Sequence, residues 1–210
     1  SYPFGLSRVS GFGENISEYS EKLNADITQK ITLLSKTNKI SPAVIFHAGW
    51  ANYIAKNSGE HNGNVVFGTV LSGRTPPING IEGMLGLFIN TLPMSVHIEE
   101  DSQTLLHACD QTLQQLIAFE QMPLSVAQSC ANVKRGTPLF SSLLNYRHGK
   151  EIKSGGVYKK PNEWSGYPVT ISIDYTGSEF KITSQTDIPI DPKSVLEGFN
   201  FEILKIIKSL

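Results

Sequence analysis

The stretch VVFGTVL, Val65 to Leu71, limits the fold more than any other part of the chain. It is short, β-branched and apolar at both alternating sets of positions, which predicts a strand covered by helices on either side. The residues before it supply such helices. Ser41-Pro42 sets an N-cap ahead of a proline whose missing N–H costs nothing in a first helical turn. Val44, Ile45, Ala48, Ala51 and Ala55 then form one stripe that Gly59 ends. Earlier, Asn24 caps a helix over about 25–37 with Ile27, Ile31 and Leu34 on one face, and a strand is predicted near Ile16 to Leu23. The Gly- and Ser-rich residues 1–15 read as an irregular lead-in.

Beyond the strand, Leu92, Met94, Val96 and Ile98 alternate with Pro93, Ser95 and His97, as in a strand with one buried face. Glu99, Glu100 and Asp101 then favour a helix start, and Leu105, Leu106, Cys109, Leu113, Leu116 and Ile117 give that helix its apolar stripe. Cys109 therefore reads as a core residue. A short helix over 124–131, a strand over 139–147 and a Gly/Lys-rich loop over 149–166 follow. VTISIDY and FKITSQTD form a hairpin turning at Thr176-Gly177, and a last helix starts at Asp191-Pro192. The pattern predicts a helix-rich α/β fold.

Chemistry is narrowed first by composition. With charged residues at 18% and a net charge of -1, there is no basic footprint for nucleic acid and no polybasic patch for a membrane. No apolar run approaches about 18 residues and the N-terminus lacks a signal pattern, so a cytoplasmic protein is expected. Cys109 and Cys130 are far apart, without metal-ligand or disulfide-framework spacing. There is no GxSxG nucleophile motif. His47 reads as a satisfied helix histidine, His61 and His97 as solvated, and His107 cannot share a metal with Cys109 two positions away on a helix. His148, at a strand end, is the one histidine placed to line a cleft.

Gly73-Arg74 stands out because it ends the buried strand, where α/β folds gather ligand-facing residues. Its guanidinium can clamp an anion or brace the following loop. In that loop Gly80, Gly83 and Gly86 permit unusual backbone conformations, while Leu85, Leu87, Phe88 and Ile89 ask for burial. Asn90 can bond exposed backbone or a substrate amide.

These residues carry a resemblance. GTVLSGRTPPINGIEGMLGLFINTLPMSV is similar to a segment of the condensation domains of nonribosomal peptide synthetases, with Gly73, Arg74, Gly83, Gly86, Phe88, Asn90, Thr91 and Pro93 on the family's pattern. EQMPLSVAQ and TPLFSSLLNYRH stand in the order of two later motifs in altered wording, which resembles a subset coupling epimerisation with condensation. The family's His-His-x-x-x-Asp-Gly is absent from this sequence.

The resemblance implies that residues 1–210 are the C-terminal lobe of a chloramphenicol acetyltransferase-like two-lobe fold, a mixed sheet covered by helices, without the lobe that bears the catalytic motif. It implies a tunnel between the lobes, where an acceptor amine attacks a donor thioester and an amide forms. No cofactor is bound covalently; 4'-phosphopantetheine is expected on the donor and acceptor carrier proteins. Those proteins, the missing N-terminal lobe and an adjacent adenylation domain are the expected partners. The segment of about 75–90, with Gly83, Gly86 and Phe88, corresponds to a floor loop, and the chain beyond Tyr146 includes a latch-like excursion. Ser72, Arg74, Asn90, Asn145 and Tyr146 are the expected tunnel contacts, none with a chemical step. A non-catalytic docking lobe, or the matching lobe of a heterocyclisation or dual epimerisation/condensation domain, are the alternatives.

Overall fold

The computed structural model describes residues 1–6, 16–59, 63–75, 79–131, 133–134, 137–149, 164–187 and 189–210. Six strands, β1 (Ile16–Lys22), β2 (Asn64–Leu71), β3 (Asn90–His97), β4 (Ser142–His148), β5 (Val169–Tyr175) and β6 (Phe180–Asp187), form one mixed sheet in the order β1-β6-β5-β4-β2-β3. Its centre, β5-β4-β2, is parallel, and the other pairings are antiparallel. The helices are α1 (Ala25–Asn38), α2 (Pro42–Ser58), α3 (Ser102–Ala118), α4 (Leu124–Cys130) and α5 (Pro192–Ser209).

Local chemistry sets the ends of these helices. Asn24 accepts from the Ile27 N–H at 2.8 Å, and Ser41 from the Ala43 N–H at 3.2 Å. Asp101 and Asp191 cap α3 and α5 in the same way. Gly59 closes α2 in the left-handed conformation at φ 73°.

Packing follows the apolar faces. α2 is buried along almost its whole length, and Phe46 and Trp50 meet Phe180 and Phe199 with ring centroids 5.0 and 5.5 Å apart. Val65, Phe67, Met94, Val96, Leu144, Ile171, Ile173 and Ile182 supply the sheet's half of this core. Each such side chain stabilises the fold by roughly 1.5–3 kcal/mol. Cys109 belongs to the same core, where burial pushes its thiol up to about 12.

The structure corrects one expectation for β2. The core helices pack on one face of the sheet; on the other, Gly68 lies under Phe140, whose ring stacks on Tyr167 at 5.1 Å. A Cβ on Gly68 would come 2.4 Å from that ring, so glycine lets an aromatic lid do what a second helix layer would do. β4 begins at Ser142 rather than 139, because Phe140 and Ser141 lead into the strand from this lid. The lead-in makes one 3-10 turn at Pro3–Gly5, and the Tyr2 hydroxyl donates to the Pro138 carbonyl at 2.6 Å. His61, residues 76–78 of the expected floor loop and residues 150–163 of the expected latch lie outside the described residues.

Candidate functional site at the fork of the sheet

The ladder joining β2 to β4 is two residue pairs long, Gly68 with Leu143 and Thr69 with Leu144. Past it β2 pairs with β3 alone, and Asn145–His148 pair with β5 alone. The parallel strands thus part toward their carboxyl ends, the position at which open α/β sheets accept ligands. Ser72, Arg74 and Asn90 stand on one lip of this fork, Asn145 and Tyr146 on the other.

The first lip is built from polar bonds. Glu120, just beyond α3, is 3% exposed. Its carboxylate accepts from the Gly73 N–H at 3.1 Å and the Thr75 N–H at 2.7 Å. Gln121 donates from Nε2 to the Gly73 carbonyl at 2.6 Å. The Asn90 amide donates to the carbonyls of Glu120 and Met122 at 2.8 and 2.7 Å, and its Oδ1 accepts from the Thr91 N–H. The turn between α3 and α4 therefore holds the segment where it leaves β2 and where it re-enters β3. Gly73 has φ 68°, and a Cβ there would lie 1.8 Å from the Phe88 carbonyl oxygen, so only glycine fits.

Arg74 is a brace. Its Nη1 donates to the carbonyls of Ile81 and Met84, and its guanidinium lies 4.4 Å from the centre of the Phe88 ring. Ser72 is exposed and accepts from the Arg74 N–H at 3.3 Å. Gly80 and Gly86 have positive φ, whereas Gly83 does not and has open space around its Cα. The segment ends in an apolar tip: Leu85 is fully exposed and Leu87 91% exposed, with Met84 and Ile89 beside them in sequence.

On the second lip, neighbouring residues point to opposite faces, as strand geometry demands. Tyr146 turns toward the helices, 6.0 Å from the Phe46 ring, and its phenol is pushed upward by burial and by Tyr175. Asn145 lies on the opposite face, in register with Ser172, and its amide makes no hydrogen bond among the described residues. Arg147, on Asn145's face, forks onto Asp174 at 2.7 and 3.1 Å. His148 is exposed and stacks on Tyr175 at 5.2 Å.

Where the fork closes, His47 is buried and fully bonded. Its Nδ1 meets the Ala43 carbonyl at 2.7 Å, which makes Nδ1 the donor, and Nε2 accepts from the Thr69 hydroxyl at 2.8 Å. Burial lowers its pKa to about 4, so the ring is neutral at pH 7.

Of the five candidate contacts, the structure joins Arg74 and Asn90 through the loop they both hold, and it sets Asn145 and Tyr146 on opposite faces. Sequence reasoning missed Glu120 as a site residue. Its signal was an acidic side chain directly after an apolar helix, in the quoted EQMPLSVAQ. Two grooves lie elsewhere, one of about 430 Å³ lined by Phe4, Tyr53 and Ile190 among others.

The family model "Condensation domain" matches residues 13–187. Malpinin synthetase from Mortierella alpina is 38% identical over 200 residues, 91% of this chain and 2% of that protein. Malpibaldin synthetase from the same organism is 35% identical over 210 residues, 97% of the chain and 4% of that protein. Among solved structures, the condensation domain of monacolin K polyketide synthase aligns with a TM-score of 0.71 at 16% identity, over 91% of this chain and 46% of that one. A four-domain nonribosomal peptide synthetase bound to AMP and glycine aligns with a TM-score of 0.75 at 14% identity, over 98% of this chain and 18% of that one. The fold is therefore the α/β, chloramphenicol acetyltransferase-like fold of condensation domains. The chain spans about half of the first structure's length and a small fraction of each synthetase.

Proposed function

Because the chain belongs to the condensation-domain family, we propose that residues 1–210 are the C-terminal lobe of a condensation domain of a nonribosomal peptide synthetase. In this reading the chain forms one wall and the floor of a tunnel where an acceptor amine attacks a donor thioester. The N–C bond forms, the C–S bond breaks, and the amine's proton leaves with the released thiol. The donor and acceptor are borne by phosphopantetheine on carrier proteins, in a cytoplasmic assembly that includes an adenylation domain. The observation that carries the reading is the pinned segment at the carboxyl ends of parallel strands, whose polar base is satisfied and whose apolar tip is left for another surface.

The residues present fit such an arm. Asn145 offers an amide that has no hydrogen bond among the described residues, on the face away from the helices and complementary to the amides of pantetheine. When present, the arm supplies the thioester or tethers the amine; this chain contributes binding and orientation. Holding two reactants in place can supply about 7–11 kcal/mol of the barrier. Asn90 and Arg74 act by shaping the segment, since their donors engage backbone carbonyls.

The test joins this chain to an N-terminal lobe bearing the family's His-His motif and follows dipeptide formation from two loaded carrier proteins. Product is expected only with both lobes, and Asn145→Ala is expected to slow its formation about 10-fold, the effect of losing one well-placed donor. Product formed at an unchanged rate with Asn145→Ala and Asn90→Ala alike would replace the tunnel wall by a docking lobe.

A further inference from the structure

We propose that Glu120 is a positioning residue of this tunnel wall, setting the direction in which residues 72–75 leave the sheet; the proposal rests on the tunnel reading above. Glu120 is a buried carboxylate with no cationic partner among the described residues. A charge taken out of water in this way is costly unless it is hydrogen-bonded. Here the compensation comes from the N–H groups of Gly73 and Thr75, and charge-assisted bonds of that kind are about twice as strong as neutral ones. Carboxylate and turn depend on each other: without the turn the charge is stranded, and without the charge two N–H groups lose their acceptor.

That grip reaches the rest of the segment by contact. Between the two bonded amides lies Arg74, whose guanidinium holds the carbonyls of Ile81 and Met84 and covers Phe88. The backbone of Glu120 also accepts from Asn90, the first residue of β3. One residue thus holds the exit of the segment through its side chain and the return through its main chain. Its neighbour Gln121 adds the bond to the Gly73 carbonyl. The Met84 carbonyl thus ties the near side of the apolar tip to this base, while the exposed Leu85 and Leu87 side chains project beyond it. A purely structural carboxylate would contribute stability; this one also fixes the Gly73–Thr75 backbone beside Ser72.

The proposal is tested in the complete two-lobed domain with its carrier proteins, using Glu120→Gln, which keeps the size but replaces one acceptor oxygen by a donor. The kcat for dipeptide formation is expected to fall at least 10-fold with the KM for each carrier protein unchanged, because Glu120 is buried and bonds this chain's own backbone. Amide exchange of peptides spanning 72–75 and 84–90 is expected to accelerate, while peptides from β5 and β6 keep their protection. Gln121→Ala removes only the bond to Gly73 and is expected to lower kcat a few-fold in the same sense; it decides the matter if Glu120→Gln does not fold. Unchanged kcat in a folded Glu120→Gln domain, or in Gln121→Ala where that variant decides, overturns the proposal. If Asn145→Ala or Asn90→Ala slows the reaction in the same assay, the tunnel reading survives that failure; if both are also without effect, both fall.

Discussion

The core beneath α2 and the corner around Glu120 both enclose buried groups, yet they are made of different materials. The core is aromatic and branched aliphatic, with His47 and Thr69 as an internally bonded polar pair. The corner is glycine, amide, carboxylate and main chain, held by directional bonds of 2.6–3.1 Å. Apolar packing is non-directional and tolerates volume-conserving exchange, whereas each bond in the corner loses its value when an angle changes. The core holds the sheet together, and the corner fixes where one segment leaves the sheet and where it returns.

Breaking the corner at Gly73 is expected to have the largest effect. Gly73→Ala places a side chain in a left-handed conformation and drives a Cβ into the Phe88 carbonyl. A loss of about 4 kcal/mol is expected in denaturant unfolding, at the upper end for single substitutions. A loss below about 1 kcal/mol would mean that the turn adopts another conformation in solution.

The core has its own weak point in acid. His47 titrates near 4 when folded and near 6.5 when unfolded, so the unfolded chain binds this proton more readily. Its contribution to stability is complete above pH 6.5 and is lost as the pH falls toward 4, by about 3 kcal/mol in total. Urea unfolding across that interval should show the slope, and His47→Gln should remove it. A slope that persists in His47→Gln assigns the acid sensitivity to other groups.

The smallest effect sharpens the contrast between base and tip. Leu85→Ser with Leu87→Ser is expected to change stability by less than about 0.5 kcal/mol, because neither side chain is buried here. The same pair should lower self-association in light scattering at high concentration. A loss above about 1 kcal/mol would place the tip inside this chain's own core.

Much of the fold was legible in the residues. Caps at Asn24, Ser41, Asp101 and Asp191, the Gly59 stop and the hairpin turn at Gly177 lie where the helices and strands start and end. The alternation of Leu92, Met94 and Val96 is the buried face of β3. What failed was the inference from VVFGTVL to helices on both sides, because a strand cannot tell a helix from the Phe140 and Tyr167 rings. At the site, Arg74 was read as clamp or brace, and the loop carbonyls decide for brace. Asn145 and Tyr146 were paired as contacts, and period-two geometry sets them on opposite faces, with the half-buried Tyr146 against the core.

The sequence by itself determined the elements, their caps, the apolar stripes and the family, because these follow from periods of two and 3.6 residues and from short contiguous motifs. The tertiary structure alone decided that β2 and β4 part after two pairs and that Asn145 and Tyr146 fall on opposite faces of the sheet. It also decided that a glutamate 47 residues beyond Gly73 takes that residue's N–H. Those facts depend on which segments meet when the core closes. No local pattern can specify the partner of a hydrogen bond that spans so much chain.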